Sequence, residues 1–225
     1  MTYRGSANGD EPPIRVIAGP HTQITNGDRL ALDPVHNEVY LPMDDKILVF
    51  PADGDGDLTP TRIIEGLDTL LGADSMTVDP VNNLLIVGGN APTSAGGPQS
   101  VAEARSGARG QVLIFNRTDS GNAKPRAIIR GPKTQIRGTA RVVVYPPTKY
   151  FLVGVNASSV PSPGSFVGVW SENDSGDVAP RWTIGGPNQI LRQVRGITLV
   201  PKAKNVIVTD KYVNAVMTFY LPEIF

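Results

Sequence analysis

Short apolar runs of four to six residues recur along the chain, each bounded by Gly, Pro, Asn or Asp. EVYLP, NLLIVG, YFLVGV and NVIVT are each preceded by a shorter run ending in Pro: LALDP, MTVDP, VVVYP and ITLVP. They are followed by ILVF, VLIF, VGVW and VMTF. Runs of this length, rich in β-branched residues and closed by turn formers, read as buried strands. No segment shows a convincing apolar stripe at the 3.6-residue spacing of a helix. The pattern predicts an all-β protein made of many short strands.

The runs belong to a repeat. Four segments align without gaps: GDEPPIRVIAG from Gly9, GDLTPTRIIEG from Gly56, GNAKPRAIIRG from Gly121 and GDVAPRWTIGG from Gly176. Each has Gly, Pro four residues on, Ile eight on and Gly ten on, as in Gly9/Pro13/Ile17/Gly19 and Gly176/Pro180/Ile184/Gly186. An aromatic residue stands six before the first Gly every time: Tyr3, Phe50, Phe115 and Trp170. Four matches at five fixed positions are not chance. The stretches RVI, RII, AII and WTI inside these segments add a fourth strand to each unit.

The units run about 9–55, 56–120, 121–175 and 176–225, and their leading glycines are spaced by 47, 65 and 55 residues. A four-stranded unit of roughly 50 residues is the size of a propeller blade. The repeated residues have structural work to do. Gly after Asp or Ser supplies the positive φ of a turn between antiparallel strands. Pro four residues later fits the first residue of an outer strand, where no ladder donor is lost. Asp33-Pro34 and Asp79-Pro80 fit tight turns.

The unit resembles that of NHL-type propellers, G-x-x-x-P-x-x-x-I-x-G-P … V-D-P … V … I-x-V-F, over nearly the whole chain. The stretch from SENDSGDVAPRWTIGGPNQ onward is similar to the C-terminus of uncharacterised bacterial NHL-like proteins. The resemblance implies one β-propeller domain over residues 1–225, with four repeats of a four-stranded antiparallel blade. Naming the strands d-a-b-c in chain order, the d strand at residues 14–17 would lie beside VMTF at 216–219 and close a four-bladed ring. The alternative is part of a five- or six-bladed propeller, since the chain opens at Tyr3, late in a c strand. Missing N-terminal blades or an oligomer would both fit that opening. A propeller fold implies little about activity.

In this topology the d–a and b–c connections share one face. The long b–c insertions also emerge there, at residues 90–110 of the second unit and 156–165 of the third. Insertions confined to one face of a repeat scaffold often mark its working face. The residues entering strand a on that face are Arg29, Ser75, Arg141 and Arg195. Three arginines around an axis suit a carboxylate, a phosphate or an acidic loop. Asp28, Asp74, Asp45 and Asp210 lie near enough to pair with them instead. The candidate binding set is Arg29, Asp74, Arg141, Arg195, Arg105, Arg109, Asp45 and Asp210.

Composition narrows the function further. Hydrophobic residues at 40% and charged residues at 19% fit a folded core, and 24 Gly with 20 Pro fit many turns. Lys plus Arg equals Asp plus Glu at 21 each, without the basic surplus expected of a nucleic-acid partner. The chain has no cysteine, which removes disulfides, thiolate metal sites and cysteine nucleophiles. MTYRGSANGDEPP lacks the apolar centre of a signal peptide, and no run approaches a membrane span. A soluble chain is expected, exported only if a precursor segment has been removed.

Catalytic motifs fare poorly. Asp53, Asp55 and Asp57 open like a calcium loop, but Leu58 and Ile64 stand where Gly and Glu are required. The two histidines, His21 and His36, fall on turn-like segments. No G-x-S-x-G elbow occurs. No catalytic residue, metal or cofactor is expected. The leading expectation is a non-catalytic scaffold for a protein or other macromolecule. The alternatives are an axial-site metal-dependent hydrolase or lyase, and a structural subunit joined through its blade edges and the terminal TFYLPEIF.

Overall fold

A computed structural model describes residues 1–27, 29–91, 109–138, 140–156, 164–185 and 190–225. Within them the chain is all-β, a propeller array of four antiparallel sheets. The first blade is β1 (Ala31–Asp33), β2 (Glu38–Met43), β3 (Lys46–Pro51) and β4 (Arg62–Glu65). The second is β5 (Ala73–Asp79), β6 (Leu84–Asn90), β7 (Gly110–Asn116) and β8 (Ala127–Ile129). The third is β9 (Ala140–Tyr145), β10 (Tyr150–Val155), β11 (Phe166–Ser171) and β12 (Trp182–Ile184). The fourth has three strands, β13 (Val194–Val200), β14 (Asn205–Asp210) and β15 (Ala215–Tyr220).

Strands within each sheet are adjacent in chain order, so alternate residues face the two neighbouring blades. The core accordingly lies in slices between sheets. Tyr40, Ile47 and Val49 of the first blade meet Met76, Val78, Leu113 and Phe115 of the second. Ile86 and Ile114 meet Phe151, Val153 and Trp170, and Leu152 and Val169 meet Val206 and Val208. Burial on both faces is why the runs are continuously apolar rather than alternating. The inner strands pack in series, β1 on β5, β5 on β9 and β9 on β13. Among the described residues no comparable packing joins β13 back to β1.

The repeated residues lock each blade to the next. Ile17, Ile64 and Ile129 make parallel bridges to Gly56, Gly121 and Gly176, the leading glycines of the following units. The residue after each of those glycines reaches back. Asp57 Oδ1 accepts from the His21 amide at 2.8 Å, Asn122 Oδ1 from the Asp68 amide at 2.8 Å, and Asp177 Oδ1 from the Lys133 amide at 2.7 Å. The carboxyl or amide group lies where a side chain on the second repeated glycine would stand. A Cβ on Gly19, Gly66 or Gly131 would come within 2.3, 2.4 or 2.5 Å of it, and their φ values are 136°, 123° and 134°. Only glycine fits both constraints.

The expected ring closure by residues 14–17 is not found. Arg15 pairs with Thr2, while Val16 O accepts from the Gly56 amide at 2.8 Å and the Ala18 amide donates to Gly56 O at 3.1 Å. These bonds hold the segment on the first blade, and β15 is not brought to it. Among the described residues the fourth blade has no d strand. The terminal segment after β15 folds back instead: Thr148 Oγ1 donates to Ile224 O at 2.7 Å, and Phe225 meets Tyr145 edge-on at 5.0 Å. No helix among the described residues is long and apolar enough to cross a membrane.

Candidate functional site

Strand a of every blade starts on the same rim, and the series is joined there through one carboxylate. Arg29, just before β1, donates to Asp74 Oδ1 and, at 2.9 Å, to Asp74 O at the start of β5. Arg141 in β9 donates from Nη1 to Asp74 Oδ2 at 3.1 Å and from Nε to Arg195 O in β13 at 2.8 Å. Ser75 Oγ accepts from the Val142 amide at 3.1 Å. Asp74 thus sits between two guanidinium groups from the blades on either side, and Arg141 carries the chain of contacts to the fourth blade. The rim is an ion-paired frame more than an open anion pocket.

The other members of the predicted set are dispersed. The Arg195 side chain is exposed. Asp210 is buried, its Oδ2 accepting from the amides of Arg192 and Gln193 at 2.7 Å and its Oδ1 from Tyr212 and Val213 at 2.9 and 3.2 Å. Burial works to raise its pKa, but the four amide donors outweigh it and hold the group below its ordinary value. Asp45 is exposed on the β2–β3 turn. Arg109 is exposed at the foot of the longer insertion, where its carbonyl accepts from the Ala91 amide at 2.9 Å. Arg105 and Asp28 lie outside the described residues, as does most of both insertions.

The stems of those insertions are nonetheless fixed. Asn90 pairs with Gly110 at the end of the β6–β7 ladder, so the longer insertion leaves from the rim. Asn156 Nδ2 donates to Val194 O at 3.0 Å, and Ser165 Oγ to Arg192 O at 2.6 Å, pinning the second stem against the fourth blade. The stems of both b–c insertions stand on the face that carries Asp74, Arg141 and Arg195.

Two charged clusters at the opposite ends of the strands were not singled out from sequence. At the first junction Arg117 reaches Glu38 at 2.8 Å and Asp33 at 3.8 Å, and Arg62 reaches Glu38 at 2.6 Å. Burial works to raise Glu38, but hydrogen bonds from Arg62, Tyr40 and Arg117 overcome it and hold its pKa at about 2. At the second junction Glu172 replaces the arginine and faces Asp79. The signal was present: four residues before the leading glycine the repeat holds Ala52, Arg117 and Glu172. Charges at an inward repeat position call for partners across the junction.

The three aspartates of DGDGDL point to separate partners. Asp53 accepts from Asn37 Nδ2 at 2.7 Å, Asp55 from the Val16 amide at 2.8 Å, and Asp57 faces His21 Nδ1 at 2.6 Å. His36 Nδ1 lies 2.7 Å from Asp33 Oδ2. Among the described residues no three His, Asp or Glu side chains converge as metal ligands would.

No family model matches the chain, and no curated protein does. Among solved structures, a "putative 6-phosphogluconolactonase" from Bacteroides uniformis matches with a TM-score of 0.56 at 15% identity, over 86% of this chain and 50% of that one. The WD40 β-propeller domain of Doa1 gives 0.44 at 13%, over 87% and 55%. Kuenenia stuttgartiensis hydrazine synthase gives 0.49 at 14%, over 80% and 42%. The chain spans about half the length of these structures. At such identity the first of these likenesses shows the fold and nothing of the chemistry.

Proposed function

We propose that this chain is a non-catalytic propeller scaffold that holds a protein or other macromolecular partner on its insertion-bearing face. The observation that carries the reading is the shared placement of both insertion stems on a rim already cross-linked by Asp74. A braced rim presenting variable loops is suited to recognition, because the loops can differ while the frame stays rigid. The ion-paired state of Arg29 and Arg141 assigns them to that frame. Contact with a partner then falls to the loops and to exposed side chains such as Arg195 and Arg109. The NHL-like character of the repeat rests on its sequence pattern alone.

The test is comparative capture from a lysate of the source cells. Wild type, deletions of residues 92–108 and 157–163, and the opposite-face variant Lys202→Glu are used as baits. The expected result is one set of partners lost with either deletion and kept by Lys202→Glu. Equal capture by all four baits would sink the proposal. So would hydrolysis of 6-phosphogluconolactone by the purified chain, which would move it into the enzyme class.

A further inference from the structure

The two ends of the blade series expose two halves of one kind of interface. Leu30 and Leu32 of β1 and its approach are 61% and 53% exposed. Their equivalents one blade on, Met76 and Val78, are 6% and 7% exposed, because the first blade lies against them. At the other end Val216 of β15 is 72% exposed, whereas Ile47, Val112 and Val167 at the same repeat position are fully buried. The first blade thus presents the surface that receives a preceding blade, and the fourth presents the surface that receives a following one. Apolar side chains at such positions are covered wherever this chain supplies a neighbour.

The backbone is matched in the same way. In the three complete blades the c strand pairs with its outer strand in one register: Ile47 with Ile64, Val112 with Ile129, Val167 with Ile184. In the fourth, β15 has β14 on one side and, among the described residues, no strand on the other. The segment Ile14–Ile17 is the converse, an outer strand whose blade contributes only the Thr2–Arg15 bridge. That bridge occupies the register of Val49 with Arg62. One open edge and one nearly unpartnered strand, both fixed by the same repeat, are complementary between identical copies.

We propose that two copies of this chain associate head to tail. The β15 edge of each copy takes residues 14–17 of the other as its outer strand and displaces the single bridge to Thr2. The repeat fixes the register: Val216 opposite Ile17, Met217 opposite Val16, and Thr218 opposite Arg15. Leu30 and Leu32 of one copy then cover Val216 and its neighbours on the other. Made twice around a two-fold axis, the contact closes a ring of two four-bladed halves, within the usual range of roughly four to eight blades.

The chain has no cysteine, so a disulfide can report the register directly. Arg15→Cys and Thr218→Cys are prepared as two proteins, mixed and oxidised. A cross-linked heterodimer is expected, with little product when either protein is oxidised alone. Wild type is expected to show twice the 24.0 kDa of one chain in solution. Val216→Asp changes a side chain exposed in the single copy, so the fold is kept while association weakens about tenfold or more. A single-chain mass for wild type overturns the proposal, as does failure of the mixed pair to cross-link. A double variant, Arg15→Cys with Thr218→Cys, that closes within one chain overturns it in favour of a four-bladed ring. A mass that grows without limit as concentration rises overturns the closed two-copy form.

Discussion

Glu172 makes the junction between the second and third blades sensitive to pH. It is buried, and its Oε1 has no hydrogen-bond partner within the described structure. Burial, and then the hydrogen bond and negative charge of Asp79, push its pKa up to about 8, against a weaker pull from Lys149 and Arg126. Asp79 is itself buried, which works to raise it. Hydrogen bonds from Glu172, from Asn82 and from the Val81 amide prevail and hold it below its ordinary value. At neutral pH the pair therefore shares one proton, carried by Glu172. Its folded pKa stands above the ordinary 4.5, so the stability this group contributes is full below 4.5 and is lost as pH rises through about 8. At roughly 1.36 kcal/mol per pKa unit, the loss reaches about 3 kcal/mol by pH 7 and about 5 kcal/mol past pH 8. That is a large part of a typical folding free energy of about 5–15 kcal/mol. Glu172→Gln keeps the shape of the protonated acid and cannot ionise. Urea unfolding between about pH 5 and 8.5, followed by the fluorescence of Trp170 and Trp182 in the same blade, measures the difference between the two proteins. Other titrating groups are common to both and cancel. The variant is expected to gain on wild type steadily across this range. A difference that stays constant with pH would refute the assignment of the proton to Glu172.

Four further substitutions test the frame. Gly131→Ala places a Cβ against the Asp177 carboxylate at a φ of 134°, and should cost about 2 kcal/mol or more in thermal unfolding. Gly176→Ala meets no atom within 4 Å and should cost less. Arg117→Ala removes one of the two guanidinium partners of Glu38 and the guanidinium nearest Asp33, leaves the Arg62–Glu38 pair in place, and should cost about 1–3 kcal/mol in urea unfolding. Glu38 has a lowered folded pKa, so its contribution is present above 4.5 and lost as pH falls toward about 2, and the Arg117 variant should make that acid limb shallower while Arg62 and Tyr40 keep part of it. Asp74→Ala unbalances Arg29 and Arg141 on a half-buried rim. It should cost about 1 kcal/mol at low salt, and the loss should shrink in high salt.

The blade was legible because its strands are buried on both faces and its turns repeat at fixed offsets. Gly56, Gly121 and Gly176 have the positive φ that their Asp-Gly and Ser-Gly settings predict. The role of the next residue was harder to see. Asp57, Asn122 and Asp177 look like turn polarity in one unit, but their partners are amides in the preceding unit, 36, 54 and 44 residues away. Thr22, Thr69 and Thr134 likewise close the same turn onto the carbonyls of Gly19, Gly66 and Gly131, at 2.7, 2.6 and 2.7 Å. The fourth unit departs from this pattern at Gln189, three residues after Gly186. The failed closure has a similar origin. Sequence tells which strand types fit together, whereas the placement of residues 14–17 depends on whether the inner strands bend far enough to bring β13 to β1.

The candidate site divides along the same line. Proximity on one rim followed from topology alone: Arg29, Asp74 and Arg141 meet there, and Arg195 joins them only through its backbone carbonyl. What sequence could not rank was competition among acids for those arginines. Asp74 prevails because it stands on β5, the strand between the two arginines, while Asp210 is held by four backbone amides of its own blade. An acid already satisfied by amides has little capacity left for a guanidinium. Asp33 and Asp79 confirm the rule at the other end of the strands. Asp33 spends one oxygen on the Val35 and His36 amides, and Asp79 spends one on those of Val81 and Asn82. Each keeps its second oxygen for a side chain. That oxygen meets His36 Nδ1 at 2.7 Å in Asp33 and Asn82 Nδ2 at 2.8 Å in Asp79. Across the junction Asp33 then has Arg117 at 3.8 Å, while the same repeat position gives Asp79 Glu172, so this junction holds a proton where its neighbour holds an ion pair. The chemistry specific to this chain therefore lies where one repeat position changes charge between units, and the identical positions on either side supply the internal control.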